Sequence, residues 1–281
     1  MNGAPGGPCR VAERFGEILL REEIRRLLSE RQVQILAHCD QREEVRGTAD
    51  SVGDDLALLL HADEIQSPEM VVCAPDVIAE TVQLLAPDAR VILPAPGATC
   101  PAAREITPAD LSSARDLHPG AAVVLDVRST AECKSLADIT CTPETLRLVV
   151  ASLDAAQVLL AVPSLDPSFP WEGYSMGKEI LPLLPLPPAS RDGIPGRGRG
   201  HPYPCTGPTG PGFRDRGSAP GTGRGFFPRN CTICHGMRQT TLPDLYRSLI
   251  TGGPRVELAG ATLQAARRPV LRMMAVVGHR P

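Results

Sequence analysis

Up to about residue 180 the chain alternates short apolar runs with amphipathic stretches. Residues 11–31 place Ile18, Leu19, Ile24, Leu27 and Leu28 toward one side, with Arg and Glu elsewhere, which predicts a surface helix. VQILA at 33–37 is a buried-strand run ending at His38, and a helical stretch is expected from Glu44, Val45 and Ala49 on into GDDLALLL. MVVCA at 70–74 is a second strand, IAETVQLL a helix, and RVILPA a third strand. Strands of four to eight residues alternating with helices predict parallel β/α layers.

The pattern repeats. Glu44 and Glu132, Ala49 and Ala137, Asp50 and Asp138, Leu58 and Leu146, Leu60 and Leu148, and Pro75 and Pro163 are each 88 residues apart. AVVLDV at 122–127 stands where VQILAH does, and QVLLAVP at 157–163 where MVVCAP does. Six matches placed alike against the strands favour two copies of one β/α unit. A third copy would begin after about residue 180, where the chain instead becomes mostly Gly, Pro and Arg. That composition is disorder-like, with no apolar periodicity. It has the look of GC-rich DNA read in the wrong frame. Two helices close the chain: Leu242, Leu245 and Leu249 share a face of the first, and Leu263, Ala266, Val270 and Met273 or Met274 a face of the second. The expected organisation is a helical segment (1–31), two α/β units (32–110 and 111–186), a Gly/Pro/Arg-rich segment (187–225) and a C-terminal segment (226–281).

Composition narrows the chemistry. The 281 residues are 42% hydrophobic and 22% charged, with a net charge of −3 and a pI near 6.1, so no basic surface for nucleic acid is expected. The opening residues lack a basic start followed by an apolar stretch, and no apolar run is long enough to cross a membrane, so a cytoplasmic location is expected. There the nine cysteines stay reduced, as core residues, metal ligands or nucleophiles. Cys231-Thr232-Ile233-Cys234-His235 fits covalent haem attachment, a pair of thiolates for an iron–sulfur cluster or zinc, or a redox dithiol. The motif alone does not choose.

The blocks ILAHCDQREEVRGTADSVGDDLAL, VIAETVQLLAPDARVILPAPGATC, VVLDVRSTAECKSLADITCT, GKEILPL and CHGMRQTTLPDLYRSLITGGPRVEL, with AARRPVLRMM closing the order, make the chain resemble the quinolinate synthase family. The resemblance implies an α/β fold of repeated parallel β/α domains about a pseudo-threefold axis, here with a truncated or disordered third domain. It implies one [4Fe–4S] cluster with a thiolate from each domain. Cys100 in GATC and Cys234 before Gly236-Met237-Arg238 match two ligands, and Cys205 in HPYPC is nearest to the third. It implies the condensation of iminoaspartate with dihydroxyacetone phosphate to quinolinate in NAD biosynthesis, with L-aspartate oxidase as a functional partner. His38 matches the family's active-site histidine, and Glu80 and Thr81 its Ala-Glu-Thr.

The chain also departs from the family. Asp40 replaces a tyrosine, Asp55 a serine, Val77-Ile78 a Phe-Met pair, and Asp126-Val127-Arg128 a Tyr-Val-Asn. Three added carboxylates would face anionic substrates, and Arg128 would offset one of them. The resemblance therefore gives His38 as the catalytic residue and His38, Asp55, Glu80 and Arg128 as substrate-binding residues. The competing expectation is an inactive homologue that binds a small anion or a protein partner.

Overall fold

A computed structural model describes residues 10–65, 67–163, 169–183 and 240–278. Cys205, Cys231 and Cys234 lie outside them, as does all of the 187–225 segment. The described residues of Met1–Thr99 and Arg238–Leu263 form one compact unit, and those of Cys100–Met237 and Gln264–Pro281 a second.

Each unit is built on a four-stranded parallel sheet. The first has β1 (Val33–His38), β2 (Ser51–Gly53), β3 (Glu69–Cys73) and β4 (Arg90–Ile92) in the order β2-β1-β3-β4. The second has β5 (Ala122–Asp126), β6 (Ile139–Cys141), β7 (Gln157–Ala161) and β8 (Glu179–Pro182) in the order β6-β5-β7-β8. The helices of the first are α1 (Arg10–Arg31), α2 (Glu43–Arg46), α3 (Asp55–Glu64) and α4 (Asp76–Leu85). The second contains α5 (Pro108–Leu117), α6 (Ala131–Ser135), α7 (Leu146–Ala151) and α8 (Phe169–Ser175). Near the C-terminus, α9 (Leu242–Thr251) and α10 (Gly260–Val276) follow. Among the described residues no helix is long and apolar enough to cross a membrane.

The 88-residue repeat is carried into the hydrogen-bond register. Ile35 pairs with Val71 and Val123 with Leu159; His38 pairs with Gly53 and Asp126 with Cys141. Even a side-chain clamp recurs. Asp50 Oδ2 accepts the Ile35 amide at 2.7 Å, and Asp138 Oδ2 accepts the Val123 amide at 2.9 Å. Each aspartate's own amide donates back to the same strand residue's carbonyl at 3.0 Å. A carboxylate thus satisfies a strand amide beside the entry to a short neighbouring strand.

β2 corrects the expectation of unbroken helix from Glu44 into GDDLALLL, because the chain passes through a strand at Ser51–Gly53 first. Three residues without an apolar run carry no period-two signal, so pairing with β1 decides their state. α1 brings a second correction. Ile24 and Leu28 are buried, with Leu27 packed beside them, but Ile18 and Leu19 are about half exposed, at 54% and 53%. The C-terminal half of α1 packs on Leu242, Leu245 and Leu249 of α9 and on β1.

α9 begins with a capping box, Thr241 and Asp244, with a proline in its first turn. It ends at Gly252 in the left-handed conformation, where a Cβ would also meet Arg90 at 2.3 Å. Arg31 and Arg90 both grip Glu69 at the start of β3, at 2.8 and 3.0 Å. Arg31 also donates to the Leu249 carbonyl and Arg90 to that of Gly252, so two cations complete the carbonyl end of α9.

Candidate functional site

Parallel strands all deliver their C-terminal ends to one edge, the edge where ligands bind in open α/β sheets. In the first unit β1 brings His38 there and β2 brings Gly53, paired with it. Asp54 then caps α3 by accepting the Ala57 amide at 2.9 Å, so Asp55 opens the helix. A Cβ on Gly53 would come within 2.5 Å of Ala57 Cβ, so only glycine lets α3 start this close to the strand end.

This brings two expected site residues together. His38, 8% exposed, has Nε2 at 3.4 Å from Asp55 Oδ1 and Nδ1 at 3.6 Å from Asp40 Oδ2. The Asp40 amide also donates to Nδ1 at 3.2 Å. Burial pushes the histidine pKa down, but Asp55, with Asp40 and Asp54 behind it, outweighs burial and raises it. The ring is held at both nitrogens and is fit to carry a proton. Glu80 lies half-buried in α4. Thr81 is fully buried and donates to the Val77 carbonyl at 2.7 Å, a structural bond within the helix.

The remaining predicted residues belong to the second unit. Arg128 binds Asp126 through Nε at 3.0 Å and through its terminal nitrogen at 2.5 Å, and its amide donates to Asp126 Oδ1 at 2.9 Å. The aspartate is buried and the arginine largely so. Of the three added carboxylates, Asp126 is therefore offset by the Arg128 cation.

The four buried free thiols among the described residues divide by environment. Cys73, in β3, has its pKa pushed to about 12 by burial, and Cys141, in β6, is likewise raised well above the ordinary value by burial. The Cys133 thiol donates to the Ile106 carbonyl at 3.3 Å, and burial raises it too. Such thiols resist becoming ligating thiolates and serve as core. Cys100 differs: it follows the loop after β4 and precedes a 3-10 turn, Pro101–Arg104. The Ala98 carbonyl in that loop accepts the Asp76 amide at 3.0 Å, which ties the loop to the C-terminal edge of the first sheet. At residue 240 the chain returns to the same edge, the Thr240 amide donating to Gln41 Oε1 at 3.0 Å. Of the three expected cluster cysteines, Cys100 is among the described residues, and Cys205 and Cys234 lie outside them. His38, Cys39 and Asp40 also hold donor atoms within 4.8 Å of one another. Nδ1 of His38 already accepts an amide hydrogen, however, which removes that nitrogen from metal binding.

The sequence led to the expectation that Arg128 offsets one added carboxylate, but not which one, and it did not pair His38 with Asp40 and Asp55. The 88-residue spacing matches His38 with Asp126 and Asp40 with Arg128, which marks equivalent positions but not contacts.

Comparison with known proteins agrees with this fold. The family model described as Quinolinate synthetase A protein matches residues 22–166. A quinolinate synthase of Methanoregula boonei is 34% identical over 299 residues, covering 92% of this chain and 98% of that protein. One of Thermotoga petrophila is 30% identical over 298 residues, covering 92% and 99%. One of Mycolicibacterium paratuberculosis is 42% identical over 148 residues, covering 53% of this chain and 42% of that protein. The first two alignments are longer than the 281-residue chain and so open gaps in it.

Proposed function

Since the chain belongs to the quinolinate synthase family, we propose that it condenses iminoaspartate with dihydroxyacetone phosphate to quinolinate, releasing phosphate and water, in the cytoplasm. Cys100, Cys205 and Cys234 would hold a [4Fe–4S] cluster. When bound, the cluster supplies an iron with an open position that acts as a Lewis acid toward substrate oxygens.

The observation that carries the reading is His38, buried at the end of β1 with both ring nitrogens engaged. Ring closure must move protons from carbon and nitrogen to departing oxygens, and a positioned histidine does this near neutral pH. Asp55, Glu80 and Arg128 are the substrate-holding groups of this reading. Arg128 suits a carboxylate or phosphate and the two acids suit hydroxyl and imine hydrogens. Imines hydrolyse in water, which favours supply of iminoaspartate by L-aspartate oxidase as a functional partner.

A second reading, a homologue that binds a small anion or protein partner without turnover, is favoured by one feature. Asp126 and Arg128 satisfy each other, where a substrate-binding arginine would be expected to face its ligand.

The test is protein purified without oxygen and reconstituted with iron and sulfide. About four irons and four sulfides per chain, a broad visible charge-transfer band and quinolinate formation are expected. Cluster assembly without product would support the second reading; no retained iron would overturn the cluster assignment.

A further inference from the structure

The loops after β1 and β5 share a feature that isolates what is specific to His38. In each, the amide two residues past the strand end donates back to the strand-end side chain: Asp40 to His38 Nδ1 at 3.2 Å, and Arg128 to Asp126 Oδ1 at 2.9 Å. The bond recurs on a histidine and on an aspartate, so it is a property of the turn. It makes Nδ1 an acceptor in the neutral ring, which leaves the hydrogen on Nε2, and Nε2 faces Asp55 Oδ1 at 3.4 Å. When the ring takes a second proton, Asp40 offers Nδ1 its carboxylate at 3.6 Å in place of its amide.

We propose that Asp55 is a positioning residue that fixes His38 in the Nε2–H form and, together with Asp40, makes it a proton donor in the reaction. The donor role rests on the function proposed above; the pairing with Asp55 does not. Among the described residues, the groups facing the ring are Cys39 and Asp40 from its own loop and Asp54 and Asp55 from the start of α3. Asp54 spends an oxygen on the Ala57 amide, so Asp55 and Asp40 lie closest to the ring. Three carboxylates against one imidazole favour the imidazolium, which keeps its proton to higher pH than a solvated histidine does.

The test uses the full chain labelled with 15N-histidine and long-range 1H–15N spectra across pH. His38 is identified among the six histidines by the signal missing from His38→Gln. In the unaltered protein, neutral His38 should be the Nε2–H tautomer and titrate above the ordinary value of about 6.5. Asp55→Asn should move the midpoint to lower pH and weaken the preference for the Nε2–H tautomer, which then rests on the Asp40 amide alone. Asp40→Asn should also lower the midpoint but leave the tautomer unchanged, because the amide remains. If Asp55→Asn does not fold, Asp55→Ser is read in the same way. An unchanged midpoint and tautomer in either folded Asp55 variant would overturn the proposal. No substrate or cluster is needed, so the pairing stands or falls separately from quinolinate formation.

Discussion

At the end of β1 a histidine stands between two aspartates; at the equivalent end of β5 an aspartate stands against an arginine. The turns are alike down to the amide that donates to the strand-end side chain, so the contrast lies in what those side chains are. In the second unit the charges meet at 2.5 Å and complete each other, one anion to one cation. In the first they meet at 3.4 and 3.6 Å around a ring whose charge depends on pH. A buried complete pair is a structural group that is costly to break. A ring shared between carboxylates is poised to exchange a proton. One strand end carries an ionisable ring between two acids, and the other an ion pair.

The largest effect that would sharpen this contrast is on turnover. In cluster-loaded protein, His38→Gln should lower the rate of quinolinate formation by roughly 10²–10⁴-fold, with urea unfolding close to the unaltered protein. Loss of stability in place of rate would make His38 structural and erase the difference. Next comes Arg128→Met, which leaves Asp126 buried without its cation and should cost about 3–5 kcal/mol in urea unfolding. Replacing both by apolar residues, Asp126→Leu with Arg128→Met, should recover most of that loss. A cost under about 1 kcal/mol for Arg128→Met alone would mean that the pair behaves as a solvated one. Asp50→Ala and Asp138→Ala each strand a β amide and should cost about 1–3 kcal/mol apiece. Because the two clamps share one register, unequal costs would show that the repeats differ at the opposite edge as well.

The smallest effect is the pH dependence of stability. His38 has a raised pKa in the folded chain, so its contribution is fully present below the unfolded value of about 6.5 and is lost as pH rises through the folded value. Unfolding measured across neutral pH should show this slope, and Asp55→Asn should flatten it. A slope of the same size in Asp55→Asn would place its origin elsewhere.

Much of the fold is legible in the chain. Apolar runs such as Ile35–Ala37 and Val123–Leu125 mark central strands because burial on both faces demands unbroken apolar residues. The 88-residue offset survives into strand pairing because both units use the same turn and the same aspartate clamp. β2 was illegible because Ser51-Val52-Gly53 has no apolar run and becomes a strand only by pairing with β1. At the site, the place of His38 was readable from the strand it ends; its partners were not.

The sequence by itself determined the alternation of strands and helices, the duplication, the family and the strand-end position of His38. These follow from local periodicity, turn residues and short motifs, which act over a few neighbouring positions. Tertiary structure alone decided that Asp55 faces Nε2, that Asp126 takes Arg128 as its partner, and that Glu69 is held by Arg31 and Arg90. It also decided that Ile24 is buried and Ile18 is not. The physical reason is common to all four: an ion pair or a buried face depends on distances of a few ångströms between groups. Those distances are set by how strands, turns and helices pack, and a linear order of residue types leaves them open.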